Sequence, residues 1–165
     1  MATQLKGLSD FSHVEVPSAH AFRFGIVVSQ WNAGITAALY QGAYDLLLKQ
    51  GASEDNILTV QVPGSFELTS GADLLLASRD LDAVICLGCV IQGETRHFDF
   101  ICNAVANGIT NVSLKHNKPV IFGVLTTDNL QQATDRAGGR HGNKGEEAAV
   151  TAIIMSQMQA GLYEE

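Results

Sequence analysis

Four short apolar runs punctuate the chain, at residues 23–29, 57–62, 83–88 and 119–124, and between them apolar side chains recur every three or four positions. That change of period, from continuous runs to helical spacing, predicts buried strands alternating with amphipathic helices. The runs Phe24-Gly25-Ile26-Val27-Val28 and Ala83-Val84-Ile85-Cys86-Leu87-Gly88 carry almost nothing polar, as strands covered on both faces require. Leu39, Ala43, Leu46 and Leu47 predict a helix over 35–50, and Gly51 should stop it. Pro63-Gly64-Ser65 reads as a turn, with Ser65 expected to cap a helix over 66–78. The longest helix is expected from 95 to 116. A short one over 129–136 should be capped by Thr126-Thr127-Asp128. A glycine-rich basic loop, 138–145, then leads to a final helix over 146–160.

This order predicts one α/β domain over 1–165, with a parallel sheet, right-handed crossovers and helices on both faces. Residues 1–21 form a weakly patterned arm. Within it His13-Val14-Glu15-Val16 alternates like a short edge strand, either a loose tail or a strand lent to a neighbour. In parallel sheets ligands bind beyond the carboxyl ends of the strands. Every stretch with chemical potential, at 30–34, 63–67, 89–97 and 122–128, falls just after a predicted strand.

Composition sharpens this picture in two ways. Hydrophobic residues make up 46% of the 165 positions and charged ones only 16%, so surface is expected to be buried in an oligomer. A net charge of −7 argues against nucleic acid and against an anionic membrane as partners. No apolar run approaches the ~20 residues that span a bilayer. No signal peptide is expected, and three cysteines read as reduced thiols in a cytoplasm.

Trp31, the only tryptophan, lies in a polar loop beside Asn32; it is either a packing residue or a platform for a flat heteroaromatic ring. Phe66 and Glu67 follow a strand end, where a carboxylate at a helix start suits the macrodipole and could also accept ligand hydroxyls. Cys86-Leu87-Gly88-Cys89 matches C-x-x-C, but Cys86 sits inside a predicted strand and Cys89 on its other face, so both are expected to be buried and inert. Gly93-Glu94-Thr95 reads either as a capping turn or as an anion seat at a helix start. His97, two residues on, is the candidate proton mover. Arg136, Arg140 and Lys144 gather three of the ten basic residues in one glycine-rich loop, either a solvated loop or a cation source for a phosphate.

Taken together, several motifs resemble the 6,7-dimethyl-8-ribityllumazine synthase family. They are Phe24-Gly25-Ile26-Val27 with Trp31-Asn32, Val62-Pro63-Gly64-Ser65-Phe66-Glu67, Gly93-Glu94-Thr95-Arg96-His97-Phe98-Asp99, Phe122-Gly123-Val124-Leu125-Thr126-Thr127 and Arg136-Ala137-Gly138 with Gly142-Asn143-Lys144-Gly145. The resemblance spans roughly residues 23–160. It implies a flavodoxin-like three-layer αβα sandwich with a four-stranded parallel sheet. It also implies a transferase that condenses 5-amino-6-(D-ribitylamino)uracil with 3,4-dihydroxy-2-butanone 4-phosphate, with no metal and no organic cofactor. Trp31 would stack on the pyrimidine. Ser65, Phe66 and Glu67 would bind the ring and ribityl chain, and Cys89, Val90 and Ile91 would line the ring through their backbone. Glu94, through its N–H, and Thr95 would seat the butanone phosphate, and His97 would transfer protons. Phe122, Arg136 and Lys144 would come from an adjacent subunit. The same resemblance implies pentamers, preferably closed into a 60-subunit shell, with the arm at 10–17 adding a strand to a neighbour and riboflavin synthase as a candidate partner.

Overall fold

The computed structural model describes residues 10–11 and 13–163. Four strands, β1 (Phe24–Ser29), β2 (Ile57–Val62), β3 (Ala83–Ile91) and β4 (Val120–Thr127), form one parallel sheet in the order β2-β1-β3-β4. Five helices, α1 (Ala33–Lys49), α2 (Leu68–Ser78), α3 (His97–His116), α4 (Leu130–Arg136) and α5 (Lys144–Tyr163), complete a flavodoxin-like αβα sandwich. The strand order reverses between β1 and β3, and sheets of this kind bind ligands at the carboxyl ends beside such a switch point.

Side-chain alternation along the strands builds the two layers. Phe24, Ile26 and Val28 of β1 share a cluster with Ile85 and Leu87 of β3 and with the apolar residues of α1, α5 and Ala133 of α4. Val27, Val84 and Cys86 face the other way, onto Leu68, Ala72 and Leu75 of α2 and Val105 and Ile109 of α3. At the amino end of the sheet Asp73 of α2 receives Lys115 Nζ at 2.8 Å and lies 2.6 Å from His116 Nε2, joining α2 to the end of α3. Although α3 has twenty residues, only Val105, Ile109 and Val112 are buried, and Phe100 and Leu114 lie open.

The elements follow the expected order, with differences that matter at the strand ends. β3 and β4 run three residues further than the apolar pattern indicated, because Val90 still pairs with Thr126 and Ile91 with Thr127. Cys89, Val90 and Ile91 are therefore strand, and α3 starts at His97 rather than 95. Ser65 does not cap α2: its hydroxyl turns inward and has no hydrogen-bond partner among the described residues. A single 3-10 turn, Ser65–Glu67, precedes α2, and the Glu67 carboxylate accepts the free Gly64 N–H instead. The short helix α4 is capped not by residues 126–128 but by Asn129, whose Oδ1 accepts from Gln132 N at 2.9 Å. The basic loop contains a small antiparallel hairpin, β5 (Ala137–Gly139) with β6 (Gly142–Asn143), and α5 begins two residues early, at Lys144. Gly51, at φ 97°, does end the helical segment begun by α1. Residues 13–16 form no strand within the chain, where Val14 N closes a turn onto Phe11 O. The remainder of the arm, 1–9 and 12, lies outside the described residues. No helix among the described residues is long and apolar enough to cross a membrane.

Candidate functional site at the carboxyl ends of the strands

Three connections meet where β1, β2 and β3 end. Asn32 takes a left-handed conformation, φ 59° and ψ 46°, which a short amide side chain tolerates better than most. From there its Nδ2 donates to Cys89 O at 3.0 Å, tying the turn after β1 to the end of β3. The backbone N–H groups of Gln30 and Trp31 donate to Val62 O and Pro63 O, tying the same turn to the end of β2. The third connection is steric. A Cβ at Gly64 would stand 2.6 Å from Cε3 of Trp31, so the indole lies across the glycine backbone, and an added methyl would have to displace it.

The outcome is a wall with two large aromatic faces open to solvent, Trp31 at 68% exposure and Phe66 at 55%. Open aromatics beside fixed polar groups are what a flat, partly polar ligand needs. Glu67 holds Gly64 N at 3.0 Å through Oε2, which fixes the carboxylate at the edge of this wall. Ser65 Oγ lies buried beneath it, so close to the β3 backbone that a Cβ at Gly88 would come within 2.6 Å. Cys89 points into the α1/α5 core and Val90 into the α2/α3 core. Burial pushes the Cys86 thiol up to about 12 and the Cys89 thiol up to about 11, so both stay protonated and unreactive near neutral pH.

Beyond Ile91 the chain leaves the sheet through a bend. Gln92 N is still held by Thr127 O at 2.8 Å, but Gly93, Glu94, Thr95, Arg96 and His97 are all exposed. Thr95 Oγ1 accepts from His97 N at 3.4 Å, a long bond at the start of α3. Asp99 in the first turn suits the helix dipole. The expected anion seat is thus an open strand-to-helix junction with one hydroxyl at the helix start.

The basic loop is organised by carboxylates. Asp135 Oδ2 accepts from Nε and Nη2 of Arg140 at 2.9 and 2.8 Å, and Oδ1 accepts from Gln131 Nε2 at 2.9 Å. The Arg140 guanidinium, followed by the Gln131 amide, holds the Asp135 carboxyl below the usual carboxylate range. Lys144 Nζ pairs with Glu147 at 3.0 Å. Arg136 has no carboxylate partner among the described residues; its Nη1 donates to Gln132 O at 3.1 Å. Asn143 anchors the returning strand, donating to Ala38 O and accepting from Gly145 N.

One chain does not bring all the expected residues together. Trp31, Asn32, Ser65, Phe66, Glu67 and Cys89 to Ile91 converge at the ends of β1, β2 and β3. Glu94, Thr95 and His97 follow directly from β3. Phe122 lies elsewhere, in the middle of the edge strand β4 opposite Cys86, in a shallow groove with Ala106, Thr110 and Leu114 of α3. Arg136 and Lys144 belong to the α1/α5 layer, whereas α3, with His97, packs in the other. Sequence reasoning missed the part played by Gly64 and by Asp135. The latter had a legible signal, a carboxylate five residues before an arginine across Gly138-Gly139. No group of three His, Cys, Asp or Glu side chains among the described residues is placed to hold a metal ion.

A flavodoxin-like sheet that ends in open aromatic faces and fixed polar groups belongs to the class of small-molecule sites built at a topological switch point. Comparison with known proteins narrows the class. The family profile described as 6,7-dimethyl-8-ribityllumazine synthase matches residues 21–160. A protein of that name from Cytophaga hutchinsonii is 62% identical over 155 residues, 94% of this chain and 97% of its own length. Another from Parabacteroides distasonis is 52% identical over 160 residues, covering 97% of this chain and 100% of that protein. A third, from Flavobacterium johnsoniae, is 51% identical over 159 residues, 96% of this chain and 84% of the relative. The chain belongs to the 6,7-dimethyl-8-ribityllumazine synthase family of enzymes.

Proposed function

We propose that this enzyme is a transferase that condenses 5-amino-6-(D-ribitylamino)uracil with 3,4-dihydroxy-2-butanone 4-phosphate. The products are 6,7-dimethyl-8-(1-D-ribityl)lumazine, inorganic phosphate and water, in the penultimate step of riboflavin biosynthesis. The observation that carries the reading is the wall on which the Trp31 indole lies across Gly64 beside the fixed Glu67 carboxylate. The pyrimidine stacks on Trp31 and Phe66. Glu67 accepts from ribityl hydroxyls, Ser65 lies under the ring, and the backbone of Cys89, Val90 and Ile91 borders its edge.

The butanone phosphate sits at the bend before α3, with Thr95 and the Glu94 N–H on one side. The 5-amino group attacks the ketone, and loss of water gives an imine. Elimination then expels phosphate, and the ribityl-bearing nitrogen closes the ring with loss of a second water. Each step moves a proton, and the exposed His97 imidazole is the group that carries it, for about 10²–10⁴ in rate. Holding two reactants together supplies the rest.

Arg136 binds the phosphate from an adjacent subunit, with Phe122 covering the ring and Lys144 beside it. This is supported by the place of Phe122 in the middle of the edge strand β4, away from the strand ends where Trp31 stands, by the packing of Arg136 and Lys144 in the layer opposite α3 and His97, and by the open apolar side chains Phe100, Leu114 and Leu130. The assembly is a pentamer, in the cytoplasm, and twelve pentamers closing into a 60-subunit shell is the preferred larger form, with riboflavin synthase a candidate companion.

The test is to mix the two substrates with the protein and follow lumazine absorbance and phosphate release together. The reading expects both to rise in step and faster than the spontaneous reaction; no acceleration contradicts it.

A further inference from the structure

A carboxylate near the carboxyl end of a helix opposes the helix dipole, and a buried one needs donors to offset its lost hydration. Asp135 is in both positions: it is the sixth residue of the seven in α4 and only 8% exposed. It receives three N–H groups, one from Gln131 on its own helix and two from Arg140 at the tip of the hairpin. Its backbone carbonyl takes a fourth, from His141 N at 2.8 Å. The hairpin lies so close on this helix end that a Cβ at Gly139 would meet Asp135 Cα and Thr134 O at 2.7 Å each. Arg136 is the next residue, between this clamp and the first residue of β5.

We propose that Asp135 and Arg140 are positioning residues for Arg136. The Asp135–Arg140 pair presses the hairpin onto α4, which sets the direction of the Arg136 backbone. The Gln132 carbonyl then takes one N–H of the Arg136 guanidinium and leaves the remaining N–H groups for an anion. The same pair neutralises Arg140, which would otherwise be a second cation beside the first. Arg136 is thereby the loop's phosphate ligand, and Arg140 acts only through it. This rests on the proposed function for the identity of the phosphate, but not for the clamp itself.

Charge alone and positioning predict opposite signs, which makes the inference testable. Removing the negative charge of Asp135 should tighten anion binding if only the local field matters. If the clamp positions Arg136, removing it should weaken binding. The experiment titrates full-length protein with inorganic phosphate, followed by phosphorus NMR, and separately measures KM for the phosphate substrate and for the pyrimidine. Asp135→Asn and Arg140→Ala are each expected to weaken phosphate by about 5–10-fold, within the range of a lost charge-assisted bond, with the pyrimidine KM unchanged. Arg140→Lys, which keeps the charge but loses the fork, is expected to behave like Arg140→Ala.

Tighter or unchanged phosphate binding in Asp135→Asn overturns the proposal. So does full retention by Arg140→Lys, which would make Arg140 a simple charge. Should Asp135→Asn fail to fold, the Arg140 pair of variants decides alone, since that side chain is 69% exposed. If phosphate binding follows the expected pattern while no lumazine forms, the clamp stands and the proposed reaction falls.

Discussion

The two regions expected to meet around substrate are built from different forces. The aromatic wall at the ends of β1, β2 and β3 is held by backbone and steric constraints: Trp31 N to Pro63 O, Asn32 to Cys89 O, and an indole lying on Gly64. The basic hairpin after α4 depends more on side chains, the ion pair of Asp135 with Arg140 and Asn143 bridging to α1, beside one backbone bond from His141 N to Asp135 O. Backbone hydrogen bonds at a sheet end are insensitive to salt and to pH near neutrality, whereas ion pairs at a surface are screened and titratable. The wall suits a neutral, flat ring that must be placed with precision. The hairpin suits an anion that must be bound and then released.

Substitutions should separate the two regions. The largest effect is expected from Arg136→Ala. Loss of a charged fork should raise KM for the phosphate substrate by roughly 100-fold and leave pyrimidine affinity as it was. Because Trp31 is the only tryptophan, its fluorescence is expected to follow pyrimidine binding. Equal losses for both substrates would erase the distinction.

A smaller effect is expected from Gly64→Ala. The added methyl would stand 2.6 Å from Cε3 of Trp31 and push the indole off its seat. Pyrimidine binding should weaken by about 10-fold, the size of a lost aromatic contact, with phosphate binding unchanged. An unaltered fluorescence titration would show that the seat of Trp31 does not matter.

The smallest concerns pH. The folded-state carboxyl of Asp135 is held low by Arg140, so its contribution is complete above the ordinary value of about 4 and is lost as pH falls through the lower folded value. The difference in melting temperature between wild type and Asp135→Asn should stay constant from pH 8 to 5 and shrink below about 4. A difference that changes between pH 6 and 8 would assign it to another group.

Much of the architecture was legible because the strands are apolar on both faces. The run Ala83 to Gly88 can hardly be anything but a central strand, and Gly51 ends its helix as glycine should. The positions of Trp31, Glu67 and His97 were legible for the same reason, since each follows a strand. Choices between equivalent local partners were not legible. Ser65 and Asn129 are both good caps by type, but Ser65 is drawn under the wall by the bare backbone of Gly88, and Asn129 does the capping. The extra residues of β3 and β4 are set by their pairing with each other, which no single-strand pattern encodes. Which of the three cations in the basic loop lacks a carboxylate depends on the hairpin turn, and so on tertiary contact.

The central claim is that the wall and the hairpin of one site come from different chains. It is tested most directly by mixing two damaged proteins. His97→Ala should slow turnover by roughly 10–100-fold through loss of the proton carrier, and Arg136→Ala should cripple phosphate binding. If each site takes its wall from one chain and its hairpin from the next, random co-assembly leaves about a quarter of the interfaces intact in both halves. The unfolded and refolded mixture is then expected to recover about a quarter of wild-type activity, above either parent alone. Activity no greater than the average of the two parents would contradict a shared site and place both halves in a single chain.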